Sequence, residues 1–239
     1  MKRHHMVFVA IICFANGALG IVDGIEVRIE DASYQLSLEY YSSHLCGAAI
    51  IDKTFAITSA HCTEGINVNH LKVRAGSGSR DSGGVLVAVK AIYRHPNYNA
   101  LTFQADVAVL ELGTALEFGP TVNKIQLPLK NETPAWVGLL TGWGLDGLEG
   151  KLAKNLRQVE MTVLGRDECI NAYGNSFLKS TMMCVQGEAC QGDCGGPMVS
   201  NNFLIGVISL SFGCGNLGYP TVCTDISEVR DFIEDTTGL

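Results

Sequence analysis

Short runs rich in Val, Ile, Leu and Phe recur along this chain, and each is closed by Gly, Asn, Asp or Pro. The clearest are 34–40, 48–56, 85–93, 107–112, 158–164 and 203–210. Runs of this length and composition predict strands joined by turns. Their even spacing restricts the fold to an all-β sandwich or barrel architecture. The stretch 76–84 (GSGSRDSGG) reads as a surface loop. Helical spacing returns only near the end, where Ile226, Val229, Phe232 and Ile233 share a face. Thr224 or Asp225 stands where an N-cap is needed, so a short C-terminal helix is expected there. A second short helix is expected around Arg166–Tyr173.

The chain has 239 residues, of which 47% are hydrophobic and 17% charged, and 27 are Gly. That is enough apolar material for one large domain or two small fused ones, and too few charges for a disordered chain. The formal charge of −7, with no clustered Lys or Arg, excludes nucleic acid as a partner. Residues 1–20 begin with Lys2 and Arg3, run apolar from Met6 to Ala15, and end in small residues. This is the pattern of a secretory signal peptide, and the run is too short to span a bilayer. The remaining 21–239 reads as the folded part, secreted and extracellular, with no membrane partner. Nine cysteines suit an oxidising compartment. Cys13 falls in the leader, and by count alone the others would form four disulfides. Asn131-Glu132-Thr133 is an acceptor sequence for N-glycosylation, with Pro134 directly after it.

Three segments carry reactive side chains. His61 ends Thr58-Ser59-Ala60-His61-Cys62, Asp106 opens an apolar run, and Cys194 sits in Gly192-Asp193-Cys194-Gly195-Gly196-Pro197. The order base, acid, nucleophile resembles the trypsin-like serine proteases of the chymotrypsin fold. Ile21-Val22-Asp23-Gly24 resembles that family's mature N-terminus, and Thr141-Gly142-Trp143-Gly144 and Gly218-Tyr219-Pro220 match two more of its segments. The resemblance covers 21–236.

It implies two six-stranded antiparallel β-barrels with the active site between them. The N-terminal barrel would take about 21–119, and the C-terminal barrel and helix about 120–239. It implies His61 as the base, Asp106 as its orienting acid, and Ser209 as a hydrogen-bond partner of Asp106. The N–H groups of Gly192 and Cys194 would form the oxyanion hole. Asp193 would pair with the Ile21 ammonium, and Ala18-Leu19-Gly20 before it suits signal peptidase. The implied disulfides are Cys46–Cys62, Cys169–Cys184 and Cys190–Cys214. Cys194 and Cys223 are then left as thiols, and bridging them would need a backbone shift.

Two departures bear on activity. Cys194 stands where the family has Ser. A thiol can attack a carbonyl, but in a site shaped for oxygen a misplacement near ~1 Å costs about 10²-fold. The substrate pocket is also altered. Glu188 takes its base, Ser211 and Thr221 take two walls that are usually Gly, Leu210 replaces a Trp, and Cys223 replaces a Tyr. A shallow, partly filled pocket is expected.

Within the family the sequence is similar to mite group 3 allergen-like trypsins, and there to the scabies mite inactivated protease paralogues. That likeness implies a secreted, catalytically inactive homologue that acts by binding host extracellular proteins. Complement or other serum proteins are the implied partners, and complement inhibition the implied effect. The residues leave a second reading open, a weak or narrow-specificity endopeptidase using Cys194 with His61 and Asp106. No cofactor or metal is expected, since no His shows metal-ligand spacing, and a monomer is expected. His44, His70 and His95 read as surface or loop histidines, and Trp136 and Phe103 as packing residues.

Overall fold

The computed structural model describes residues 24–133, 135–145, 150–187, 189–211 and 218–239. After a two-residue strand β1 (Ile25–Glu26), the first six long runs form β2 (Gln35–Tyr40), β3 (Ser43–Ile50), β4 (Phe55–Thr58), β5 (Leu71–Ala75), β6 (Val85–Arg94) and β7 (Ala108–Leu112). They close into an antiparallel barrel in the order β2-β3-β4-β7-β6-β5. The second half supplies β8 (Val137–Gly142), β9 (Arg157–Val163), β10 (Met182–Gln186), β11 (Pro197–Ser200), β12 (Phe203–Leu210) and β13 (Thr221–Asp225). The order β9-β10-β13-β12-β11-β8 closes because β8 returns to pair with β9. Two closed six-stranded barrels result, as the resemblance implied.

Alternation explains how the barrels meet. Leu36 and Leu38 of β2 point into the first barrel's core, while Gln35, Ser37 and Glu39 on the other face are also buried. Most of that polar face is hydrogen-bonded, Ser37 Oγ with His44 Nδ1 and Arg74 Nε to Glu39 Oε1, each at 2.7 Å, while Glu39 Oε2 is buried without a partner. Thr141 Oγ1 donates to Gln35 Oε1 at 2.6 Å, across the seam between barrels. A shared apolar layer lies beside it, with Ile57 and Val107 from the first barrel against Val199, Val207 and Ile233 from the second half. Two hairpins turn through paired left-handed residues, Tyr41 and Ser42 (φ 50° and 64°) and Asn201 and Asn202 (φ 48° and 66°).

Three expectations change in detail. The run 48–56 is not one strand. The N–H groups of Ile51 and Asp52 both donate to the carbonyl of Phe55, which folds the chain between β3 and β4. The first strand does not join the first barrel, since β1 pairs with β9, Ile25 opposite Gln158. A small core of Ile29, Ala32, Trp143 and Leu156 holds this strap on the second barrel. The C-terminal helix starts later than its apolar spacing suggests. Asp225 Oδ1 accepts from Ser227 N and Oγ at 2.9 and 2.8 Å, a 3-10 turn spans Ser227–Val229, and α2 runs over Arg230–Thr237. The other helix, α1, is Arg166–Tyr173, with Glu168 accepting from the Gly165 N–H at 2.9 Å. Among the described residues no helix is long and apolar enough to cross a membrane.

Candidate active site

β4 carries His61 to the cleft. Just past the strand, Ser59 Oγ donates to the Ile208 carbonyl of the second barrel at 2.7 Å, and the chain turns through a 3-10 turn at His61–Thr63. Arg94 braces that turn, donating from Nε to Thr63 Oγ1 at 2.8 Å and from a second nitrogen to the Thr63 carbonyl. The Cys46–Cys62 disulfide ties it to β3, and a Cys169–Cys184 disulfide ties α1 to β10.

Asp106 is fully buried at the foot of β7 and aims its carboxylate at His61. Oδ1 accepts from the His61 backbone N–H at 2.9 Å, and Oδ2 accepts from His61 Nδ1 at 2.7 Å and Ser209 Oγ at 2.6 Å. The Asp106 carbonyl accepts from Thr224 Oγ1 at 2.8 Å. A carboxylate held this way fixes the His tautomer, with the proton on Nδ1 and the Nε2 lone pair turned outward. His61 Nε2 lies 3.5 Å from Cys62 Sγ. The base and its orienting acid are thus assembled.

The loop before Asp106 is bent. Phe103 and Ala105 have φ of 55° and 49°, unusual for residues with side chains. The bend lays Phe103 edge-on to His61, ring centroids 6.1 Å apart, and packs it in one apolar cluster with Leu210. Phe103 is a packing residue, as expected, and its packing fills space beside the base.

The nucleophile turn is built by backbone bonds. Asp193 N–H donates to the Cys190 carbonyl, Gly196 N–H to the Asp193 carbonyl, and Gly47 N–H to the Cys194 carbonyl. A Cβ at Gly195 (φ 75°) would lie 2.2 Å from Thr58 Oγ1, so the turn needs glycine there to sit against β4. Cys194 is 2% exposed. The thiol accounting needs correction. Cys190 and Cys194 are both disulfide-bonded, and Cys223 is a free, buried cysteine. Cys214 lies outside the described residues.

Asp193 is fully buried, and Gly144 and Cys190 N–H groups donate to its carboxylate at 2.9 and 3.1 Å. Burial nevertheless raises its pKa to about 7, the two N–H bonds opposing the shift. No cation pairs with it among the described residues, and Ile21 lies outside them.

His44 is a correction. It is no surface residue. Its Nδ1 is 2.7 Å from Ser37 Oγ, its Nε2 3.0 Å from the Gly192 carbonyl, and its ring meets Trp143 edge-on. Burial lowers its pKa to about 4, the Gly192 bond opposing and nearby Arg80 assisting. Gly192 itself has φ 92°. His70 is exposed, and His95 is half-buried against Phe232. Trp136 is also corrected, being 73% exposed and not packed.

Of the residues expected to line a substrate pocket, Thr221 and Ser211 are joined, Thr221 Oγ1 donating to Ser211 Oγ at 3.2 Å. Leu210 and Cys223 are buried beside them, and burial pushes the Cys223 thiol pKa far up. Glu188 lies outside the described residues. Cys46, His61 and Cys62 cluster closely enough for a metal, but the two sulfurs are joined to each other and only His61 has a ligand to offer.

The relatives agree with this geometry. "Trypsin" of Sarcophaga bullata is 36% identical over 251 residues, covering 99% of this chain and 98% of the relative. "Trypsin alpha-4" of Lucilia cuprina is 34% identical, covering 95% and 96%. "Trypsin alpha" of Drosophila erecta is 34% identical, covering 90% and 87%. The family model described as Trypsin matches residues 21–233, and with two closed barrels and the His61–Asp106 pair at their seam, the chain belongs to the trypsin family.

Proposed function

We propose that this chain is a secreted trypsin-family homologue without effective peptidase activity, which acts by binding an extracellular protein. The observation that carries the reading is Cys194 at the nucleophile position of an otherwise assembled base and acid. In a site shaped for a hydroxyl, the larger sulfur and its longer bonds misplace the attacking atom, and a misplacement near ~1 Å costs about 10²-fold. The joined walls Thr221 and Ser211, and the packing of Phe103 against Leu210, support it from the substrate side. Peptide orientation is what such walls normally supply, and losing it lowers turnover as well as affinity. The likeness to mite group 3 paralogues, host serum proteins as partners and complement inhibition as the effect all belong to this proposal.

The intact His61–Asp106–Ser209 network favours a second reading, a weak or narrow-specificity endopeptidase that uses Cys194 with His61 and Asp106. A broad peptide library, with and without mild reductant, separates the two. Uncleaved capture of a serum protein with no turnover in either condition supports the binder. Turnover that appears with reductant and vanishes in His61→Ala supports the peptidase.

A further inference from the structure

A cavity of about 200 Å³ lies away from the catalytic residues, lined by Pro128, Glu132 and Ala135, the β11–β12 turn and the end of β13. Its lining combines the apolar Pro128, Phe203 and Ile205 with the acidic Glu132 and Asp225. It is smaller than the about 300–1,000 Å³ of a typical small-molecule site, so it suits one side chain. The acidic groups are unevenly matched. Glu132 accepts from the Leu129 N–H. Asp225 accepts from the Ser227 N–H and Oγ on Oδ1 and from the Glu228 N–H, and no Lys, Arg or His among the described residues pairs with it. Burial raises its pKa, with Glu228 adding to the shift. The neighbouring Lys130 is engaged by Asp231 of α2, and Arg230 donates to the Leu239 carbonyl.

We propose that this cavity is a docking site for an arginine side chain of a protein partner. An arginine stem buries apolar length along Pro128 and Ile205. Its planar guanidinium stacks on an aromatic ring such as Phe203 and forks to a carboxylate. The site rests on the binding reading above and names the chemistry its partner presents.

The test is an NMR titration of the intact protein with Nα-acetyl-arginine amide. Saturable shifts are expected at the amides of Ala135, Asn201 and Ser227, with affinity falling about tenfold in Asp225→Asn. Asn keeps the cap on Ser227, so that variant folds. Phe203→Leu removes the ring without touching charge and is expected to weaken binding too. The citrulline analogue, of the same shape but uncharged, is expected to cause no shift. Equal binding of citrulline or acetyl-lysine amide, an unchanged affinity in Asp225→Asn, or shifts spread evenly to remote acids such as Glu117 would overturn the proposal. Peptidase activity would overturn the binding reading and leave these shifts as they are, so the two failures are distinguishable.

Discussion

His44 Nε2 lies 3.0 Å from the carbonyl oxygen of Gly192, so a histidine of the first barrel holds the loop before Cys194 in the second. A carbonyl only accepts, so Nε2 carries the proton and Nδ1 accepts from Ser37. Removing the ring leaves the Gly192 carbonyl and Ser37 hydroxyl short of partners and opens a void beside Trp143. His44→Ala is expected to lose about 2–4 kcal/mol of stability in urea unfolding, and His44→Gln less. A loss below about 0.5 kcal/mol would place the ring outside the packed seam.

Asp193 and His44 give opposite pH dependence. Asp193 has its pKa raised from 3.8 to about 7, so across that window the folded chain holds the extra proton and stability falls as pH rises. His44 has its pKa lowered from 6.5 to about 4, so there the unfolded chain holds the extra proton and stability rises with pH. The slopes oppose below pH 6.5, and Asp193 alone acts above it. Relative to the parent, Asp193→Asn is expected to gain stability from pH 4 to 7, on the order of a few kcal/mol. Protein beginning at Ile21 is expected to lose this slope, because an adjacent ammonium favours the carboxylate. Urea midpoints measured from pH 4 to 8 check both, and parallel parent and Asp193→Asn curves would contradict the assignment.

The two barrels and the pair His61 and Asp106 were legible because strand runs and glycine-rich turns are local signals. His44 was not. β2 and β3 change register between Leu38 and Glu39, with Leu38 opposite Cys46 and Glu39 opposite His44. The extra residue, Leu45, resets the alternation that would have placed the ring inward. The strap β1 was hidden too, since two residues carry no periodicity and only its small core with Trp143 places it. Asp225 read as a helix cap, and caps Ser227, but its cavity arises from segments far apart in sequence and no local pattern reports it.

Restoring the nucleophile is not expected to restore a good protease. Cys194→Ser completes the set with His61 and Asp106, yet Thr221 and Ser211 keep their side chains, bonded to each other, at the positions expected to wall the pocket. The single variant is expected to stay at least about 10²-fold below an ordinary trypsin in kcat/KM. Adding Thr221→Gly and Ser211→Gly is expected to raise it more than additively. Kinetics on Arg, Ala and Leu peptides read this, and full efficiency from Cys194→Ser alone would make Cys194 the sole lesion.

Phe103 is expected to restrict what reaches His61. In the Cys194→Ser background, Phe103→Ala is expected to raise kcat/KM for tetrapeptides and to leave single-residue esters nearly unchanged, since only the longer substrate needs the space the ring fills. A thermal scan separates this from unfolding, because the truncation costs about 3–5 kcal/mol. An equal gain for both substrates would contradict the steric role.

The central claim is that the unaltered chain binds without cutting. Its most direct measurement is kcat/KM of the wild-type protein over a broad peptide library, with His61→Ala as the blank. The account predicts wild-type rates indistinguishable from that blank, with and without mild reductant. Turnover well above the blank, abolished in His61→Ala, would contradict it.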